Sequence, residues 1–183
     1  SYNNYIGVPF TLAQLSPEYD FAVLEIGANH PGEIADLCEL VKPDAGLITM
    51  VGRAHLEGFA NIRGVAEAKG ELYHGLKGDR IAFVNFDDSY VIGQSQSVQK
   101  RIGYGFNIPP QGQGFARLYR ASERAGEGFS TMGEYFRFPY PLYIMIHALS
   151  AVAVGHSYGV PFFDIKRSLE DFEGITGRMQ RRE

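Results

Sequence analysis

Residues 21–51 read FAVLEIGANHPGEIADLCELVKPDAGLITMV, and this stretch decides the fold. Its first seven residues, 21–27, form a short apolar run, which is typical of a strand buried on both faces of a sheet. Pro31 and the apolar residues that recur at helical spacing over 34–41 predict a helix next. A second apolar run at 45–51 predicts another strand. Strand, helix and strand in this order indicate parallel strands joined by helical crossovers.

The same alternation continues on the C-terminal side of this stretch. Apolar residues at helical spacing predict further helices at 65–76, 142–158 and 161–172. Short apolar runs predict further strands at 80–85 and 100–104. Alternating residues over 115–138, with a turn near 124–128, predict antiparallel strands. We therefore expect an α/β fold, in which a mostly parallel sheet is flanked by helices and carries a small antiparallel subsheet.

Composition limits the classes of function. The chain has 183 residues, of which 45% are hydrophobic and 21% charged, as expected for one globular domain with a sizeable core. Its net charge of -4 gives no general attraction to nucleic acid or to an anionic membrane. The longest apolar stretch, residues 141–155, is too short to span a bilayer. We therefore expect no nucleic-acid partner and no membrane insertion.

The single cysteine, Cys38, lies on the apolar stripe of the first predicted helix and has no partner for an internal disulfide. A buried thiol explains it better than a nucleophile, because no activating group lies beside it in the sequence. This cysteine usage predicts a reducing, cytoplasmic compartment. The chain begins without methionine and ends soon after a predicted helix, so we expect it to be a fragment of a longer protein.

Three residues in or just after the predicted strands and helices could bind ligands. Glu25 lies near the end of the first predicted strand, His55 follows the second, and Lys69 lies on the next helix. Parallel strands end at the same edge of a sheet, so we expect these residues to converge on one crevice. A buried glutamate needs a cation or a basic partner, and position alone leaves both open. A solvated loop histidine and an exposed, glutamate-paired lysine are the ordinary alternatives for His55 and Lys69.

Three long segments resemble the central domain of the Mur ligases. They are NNYIGVPFTL at 3–12, EIGANHPGEIADL at 25–37 and AHLEGFANIRGVAEAKGEL at 54–72. The resemblance is close through about residue 88 and looser beyond it. It implies a P-loop NTPase-like, ATP-binding central domain over residues 1–177, truncated on its N-terminal side. Residues 178–183 would then begin the hinge to a missing C-terminal domain.

Among Mur ligases, the chain most resembles those that join D-alanyl-D-alanine to a UDP-N-acetylmuramoyl-tripeptide in peptidoglycan precursor synthesis. This resemblance implies both substrates, ATP, Mg²⁺, an acyl phosphate intermediate and a monomeric parent enzyme. One alternative is another amide ligase of the superfamily, acting on a different amino acid or on folate. A non-catalytic nucleotide-binding module is the other alternative.

The resemblance also implies roles for individual residues. Glu25, His55 and a carbamylated Lys69 would bind Mg²⁺, since a carbamate supplies the oxygen ligands that this cation prefers. Contacts with substrate are implied for Asn3, Asn4, Asn29 and His30, and for the first two a turn is the alternative. His147 lies where relatives place an adenine-binding amide, and Arg178 resembles an arginine that approaches the nucleotide phosphates.

One expected motif does not occur in the sequence. No G-x-x-x-x-G-K-[ST] loop, which would hold the phosphates of ATP, is present in the 183 residues. In Mur ligases this loop lies just upstream of the asparagine pair that Asn3 and Asn4 resemble. We therefore expect that the 183-residue chain alone does not hydrolyse ATP.

Overall fold

The computed structural model of the protein describes residues 2–52, 56–108, 114–124, 127–138 and 140–172. The chain divides into two compact units. Unit 1 comprises Ser1–Val84 and Asp88–Arg101, and unit 2 comprises Asn85–Asp87 and Ile102–Glu183.

Unit 1 combines parallel strands with packed helices. Its helices are α1 (Gly7–Leu12), α2 (Glu33–Val41), α3 (Leu56–Phe59), α4 (Ile62–His74) and α5 (Ser89–Gln94), followed by a 3₁₀-helix at Ser95–Ser97. Its strands are β1 (Ala45–Ile48) and β2 (Ile81–Asn85). These strands pair in parallel, with Ala45 opposite Ile81 and Ile48 opposite Val84. Helix α4 packs against α2, α3 and β1, so it is the central helix of this unit.

Helix α4 forms because its start is capped and one of its faces is apolar. The Asn61 side chain accepts a hydrogen bond from the Gly64 N–H at 3.1 Å, which satisfies one of the free amides of the first turn. Val65, Ala66 and Tyr73 on its inner face are all buried. Their burial removes apolar surface from water and holds the helix on the sheet.

Unit 2 contains the antiparallel part of the molecule. Its elements are β3 (Lys100–Gly105), β4 (Arg117–Arg124), β5 (Gly128–Thr131), β6 (Glu134–Arg137), α6 (Leu142–Ser157) and α7 (Phe162–Glu170). Strand β4 runs parallel to β3 and antiparallel to β5, which is antiparallel to β6. The β5–β6 turn places Met132 and Gly133 at φ 53° and 85°, the left-handed region that glycine adopts without strain. Phe129 and Phe136 stack in the core beneath this hairpin, with ring centroids 5.3 Å apart.

These observations confirm the predicted fold class. Parallel pairs, a small antiparallel subsheet and surrounding helices are all present, and the predicted elements from residue 45 onward occur within a few residues of their expected bounds. The first predicted helix also forms, but it begins at Glu33, after a Gly32 with φ 92°, rather than at Pro31. Cys38 is buried as expected, and burial raises the pKa of its thiol to about 11. This thiol is therefore a poor nucleophile.

The predicted strand at 21–27 is wrong. The structure assigns residues 21–28 to no strand, and Val23 is 93% exposed. One backbone hydrogen bond, from the Gly27 N–H to the Asn3 carbonyl at 2.8 Å, ties this segment to the beginning of the chain. An apolar run shows only that a segment can be buried, whereas a strand also needs a neighbouring strand with which to pair.

No helix among the described residues combines the length and the apolar character needed to cross a bilayer.

Candidate functional site

Glu25 lies on the surface of unit 1, where its carboxylate accepts a hydrogen bond from the side-chain amide of Asn3 at 2.9 Å. The expected burial of Glu25 is wrong, because residues 21–28 do not form an internal strand. Among the described residues, no lysine or arginine forms a salt bridge with it. An amide donor leaves the negative charge of the carboxylate uncompensated, so Glu25 keeps the chemistry of a cation ligand.

Asn4 has a local structural role. Its side-chain oxygen accepts hydrogen bonds from the backbone N–H groups of Ile6 at 3.1 Å and Gly7 at 3.0 Å, just where α1 begins. This is the turn that was the alternative to a substrate contact. Of the two neighbouring asparagines, Asn3 is therefore the one that contacts another candidate site residue, Glu25.

Asn29 and His30 form an exposed turn that Glu33 holds in place. One oxygen of Glu33 accepts hydrogen bonds from the backbone N–H of Asn29 at 2.7 Å and of His30 at 3.3 Å. The other lies 3.3 Å from Nδ1 of His30. These bonds, led by that from Asn29, hold the pKa of the Glu33 carboxyl below its ordinary value. The backbone is fixed while both side chains remain accessible to a ligand.

The segment that follows His55 lies against this turn. Gly58, in α3, approaches the carbonyl oxygen of Asn29 so closely that a Cβ atom at Gly58 would overlap it. The structure thereby brings together the segments that follow Glu25 and His55 in the sequence. His55 itself lies outside the described residues, as does Arg178, so their roles stay predictions.

Lys69 is half-buried on α4, and its ammonium donates a hydrogen bond to the Met50 carbonyl at 2.6 Å. Its contact is therefore a backbone oxygen beyond β1 rather than the glutamate that the ordinary alternative required. Burial lowers the pKa of Lys69, and the nearby Asp88 carboxylate partly opposes that shift. A lower pKa raises the fraction of neutral amine, which is the nucleophilic form.

Asp88 and Glu71 are residues whose roles the sequence analysis missed. One oxygen of Asp88 accepts a hydrogen bond from Val51 N–H at 2.7 Å, and the other caps α5. An aspartate before a helix signals such a cap, but not the contact with Val51. Glu71 accepts hydrogen bonds from the backbone N–H groups of Gly32 at 2.7 Å and Ala35 at 3.0 Å. No local sequence signal reveals a contact across 39 residues.

His147 belongs to unit 2, where it is half-buried on α6. Burial lowers the pKa of its imidazole, which favours a neutral ring that can both donate and accept hydrogen bonds. The predicted contact of His147 with adenine stays a prediction. Among the described residues, which exclude His55, no three histidine, cysteine, aspartate or glutamate side chains cluster as a metal site.

Comparison of the sequence with known proteins gives a consistent set of similarities. A family model described as the Mur ligase middle domain matches residues 1–142. UDP-N-acetylmuramoyl-tripeptide--D-alanyl-D-alanine ligase of Escherichia coli (strain K12) is 36% identical over 97% of this chain and 40% of its own length. The enzyme of that name from Bacillus subtilis (strain 168) is 29% identical over 97% of this chain and 38% of its own length. The chain thus spans about 40% of these relatives.

Comparison with solved structures gives the same similarity. A crystal structure of MurF from Acinetobacter baumannii matches with a TM-score of 0.83 and 28% identity, over 100% of this chain and 41% of that one. MurF ligase from Thermotoga maritima, solved in complex with ADP, matches with a TM-score of 0.69 and 23% identity, over 97% of this chain and 42% of that one. At that identity the second match bears on the fold alone.

Proposed function

The chain belongs to the Mur ligase middle domain family, and on that premise we propose that it is the central domain of a D-alanyl-D-alanine-adding peptide ligase. The observation that carries this proposal is its 36% identity, over 97% of its length, to a ligase of that name. Because the chain spans about 40% of such relatives, the activity is proposed for the full-length protein that contains it. We place that protein in the cytoplasm as a monomer.

The proposed reaction has two steps. The terminal carboxylate of UDP-N-acetylmuramoyl-tripeptide attacks the γ-phosphorus of ATP, which forms an acyl phosphate and releases ADP. The amine of D-alanyl-D-alanine then attacks the acyl carbon, loses a proton and expels inorganic phosphate, leaving a new amide bond. Positioning and electrostatic stabilisation account for most of the catalysis of phosphoryl transfer.

The donor chemistry of unit 1 fits Mg²⁺ in the proposed site. Glu25 offers an exposed carboxylate whose partner is a neutral amide, and Mg²⁺ prefers such oxygen ligands. We assign the remaining protein ligands to His55 and to Lys69 in its carbamylated form. When bound, the cation would neutralise charge on the phosphates during transfer.

Carbamylation of Lys69 is supported by its surroundings. The neutral amine would attack the carbon of CO₂ and lose a proton, which converts a cation into an anionic oxygen donor. Burial lowers the pKa of Lys69 and so favours the neutral amine. The new anion would have to leave the Met50 carbonyl, which the ammonium contacts at 2.6 Å, and turn toward a cation.

Ligand contacts are proposed for the other residues that the family resemblance singles out. Asn3, Asn4, Asn29 and His30 would contact the UDP-linked substrate or its phosphates, and the side-chain oxygen of Asn4 also accepts the hydrogen bonds at the beginning of α1. We propose that His147 contacts the adenine of ATP and that Arg178 approaches its phosphates. These assignments follow from the family resemblance of the segments in which the residues lie.

The decisive experiment is an assay of the full-length protein with ATP, Mg²⁺, UDP-N-acetylmuramoyl-tripeptide and D-alanyl-D-alanine. We expect phosphate release that requires both substrates, and a ligated product identified by its mass. Product formed instead with a single amino acid or a folate would favour another amide ligase. If no acceptor supports ATP turnover, the protein is a binding module. The 183-residue chain alone should release no phosphate above a protein-free control.

A further inference from the structure

The side-chain carboxylate of Glu71 joins α4, which carries Lys69, to α2, which follows the Asn29–His30 turn. Glu71, on α4, accepts hydrogen bonds from the N–H groups of Gly32 at 2.7 Å and Ala35 at 3.0 Å, at the beginning of α2. The first N–H groups of a helix have no partner within it. The N-cap residue of α2 is Gly32, which has no side chain to supply one. Glu71 therefore caps α2 from a different helix.

The capped end of α2 carries the candidate substrate turn. Glu33, the first residue of α2, accepts hydrogen bonds from the N–H groups of Asn29 and His30. Glu33 lies between Gly32 and Ala35, the two residues that Glu71 holds. The position of the turn therefore depends on two carboxylates. That of Glu33 binds the turn, and that of Glu71 binds the beginning of α2, the helix to which Glu33 belongs.

We propose that Glu71 is a positioning residue, which fixes the Asn29–His30 turn relative to α4 so that the turn can bind the UDP-linked substrate. Lys69 precedes Glu71 by two residues on α4, so the same contact also sets the distance between the turn and the candidate carbamate. The identity of the substrate rests on the proposed function. The positioning role itself rests on the Glu71 hydrogen bonds.

Two matched variants separate this role from a general effect of charge on α4. Glu71→Ala removes both acceptor oxygens, whereas Glu71→Gln keeps one of them in the same place. Glu67 is an exposed glutamate about one turn earlier on α4. Glu67→Ala therefore removes the same charge from the same helix without removing the cap.

The first measurement is steady-state kinetics of the full-length protein at a temperature where every variant is folded by circular dichroism. For Glu71→Ala we expect kcat/KM for UDP-N-acetylmuramoyl-tripeptide to fall about 10- to 100-fold, mainly through KM, because small misplacements of binding groups cost this much. The KM for ATP should change less than about twofold on the same argument. Glu71→Gln should recover only part of the loss, because it keeps one acceptor oxygen but turns an NH₂ donor toward the other backbone N–H, and Glu67→Ala should behave like the wild type.

The second measurement does not depend on turnover. Hydrogen exchange of the full-length protein should show faster exchange at the amides of Gly32 and Ala35 in Glu71→Ala, with unchanged exchange in β1 and β2, because local opening is detected separately from global unfolding. If the wild type ligates nothing, the proposed function fails, and the exchange result alone decides whether Glu71 fixes this helix end.

Three results would overturn the positioning role. One is unchanged exchange at Gly32 and Ala35 in Glu71→Ala. Another is unchanged kcat/KM in that variant of an active enzyme. The third is a loss of activity that follows the loss of folded protein in proportion, which would make Glu71 a residue of stability alone.

Discussion

Burial and the Asp88 carboxylate act in opposite directions on the pKa of the Lys69 amino group. Burial disfavours the ammonium and lowers its pKa, while the Met50 carbonyl, 2.6 Å away, accepts a hydrogen bond from it. The carbonyl fixes where the nitrogen lies, and burial sets how readily it loses its proton. A lysine in such surroundings is suited to react with CO₂. Neither the composition of the chain nor the helical spacing of its residues indicates this reactivity.

Replacing Lys69 tests this interpretation. In the full-length protein, Lys69→Ala should lower the ligation rate more than about tenfold, because an oxygen ligand of the proposed metal site would be lost. Adding acetate or propionate should restore part of the rate, since a free carboxylate can supply the missing oxygen. Lys77, exposed just after α4, offers the matched control Lys77→Ala. Full activity of Lys69→Ala would exclude the carbamate.

In unit 2, His156 is another titratable residue whose surroundings lower its pKa. Its Nδ1 lies 2.8 Å from the Tyr119 hydroxyl and 3.4 Å from the Arg117 guanidinium, and its ring stacks on Phe162. The neutral ring accepts hydrogen bonds at Nδ1, and a proton there would remove that acceptor. Burial, and then Arg117, lower the pKa of His156 below its ordinary value of 6.5.

The sign of this shift predicts how stability depends on pH. The unfolded chain binds a proton at His156 more readily than the folded chain does. The contribution of His156 to the free energy of unfolding is therefore complete above pH 6.5. It declines as the pH falls toward the lower pKa of the folded state. His156→Gln keeps a side-chain acceptor but cannot titrate, so its Tm should fall less than that of the wild type between neutral and mildly acidic pH. His74→Gln, at an exposed position, is the control. Parallel Tm curves for wild type and His156→Gln would contradict the prediction.

At the scale of elements, Tyr73 ties α4 to both strands of unit 1. Its hydroxyl donates a hydrogen bond to the Phe83 carbonyl at 2.6 Å and accepts one from the Ile48 N–H at 3.4 Å. The side chain is 0% exposed, and its burial raises the pKa of the hydroxyl. The tyrosine therefore remains a neutral donor, which fixes how the helix lies across β1 and β2.

Removing this hydroxyl should loosen the helix without emptying the core. Tyr73→Phe keeps the ring and removes two buried hydrogen bonds, so the free energy of unfolding should fall by about 1–2 kcal/mol. Tyr90→Phe is the control, because Tyr90 is 38% exposed, and surface changes cost within about 0.5 kcal/mol. Denaturant unfolding of the 183-residue chain measures both. Equal effects of the two substitutions would show that the buried hydroxyl contributes nothing.

The elements also show what a sequence can predict. Helix α4 and strand β2 were predictable because spacing and apolar content are properties of each segment alone. Residues 21–27 have the same apolar content, yet they form no strand in the described structure, because strand formation depends on a partner elsewhere. The cap from Glu71 to α2 was equally inaccessible, since it joins residues 39 positions apart.

At the scale of the whole molecule, the family resemblance predicted more about function than the composition did. Charge and length suggested only one globular domain without a nucleic-acid partner, whereas three long motifs indicated the family whose model matches residues 1–142. Gly58 packs on Asn29, but this contact joins α3 to a turn rather than two strand ends, because residues 21–28 form no strand. The three-residue metal site is untested, since His55 lies outside the described residues.

We predict that segment 21–28, part of which is exposed, makes the isolated chain prone to self-association. Val23 is 93% and Phe21 61% exposed, and an apolar segment that is not paired in a sheet can pair with the same segment of another molecule. Val23→Lys should reduce light scattering by concentrated solutions of the chain, since a charge on such a segment disfavours pairing. Leu40→Lys, which places the same charge at a 52% exposed helical position, should reduce it much less. Equal reductions would attribute the effect to net charge.

If the prediction holds, the apolar residues of 21–27, which the sequence predicted as a buried strand, also limit the concentration at which the isolated chain stays in solution. Solubility would then be governed by a few residues of the segment that also carries the candidate ligand Glu25. A lysine at position 23 would improve crystallisation or NMR samples without altering Lys69 or its hydrogen bond to Met50.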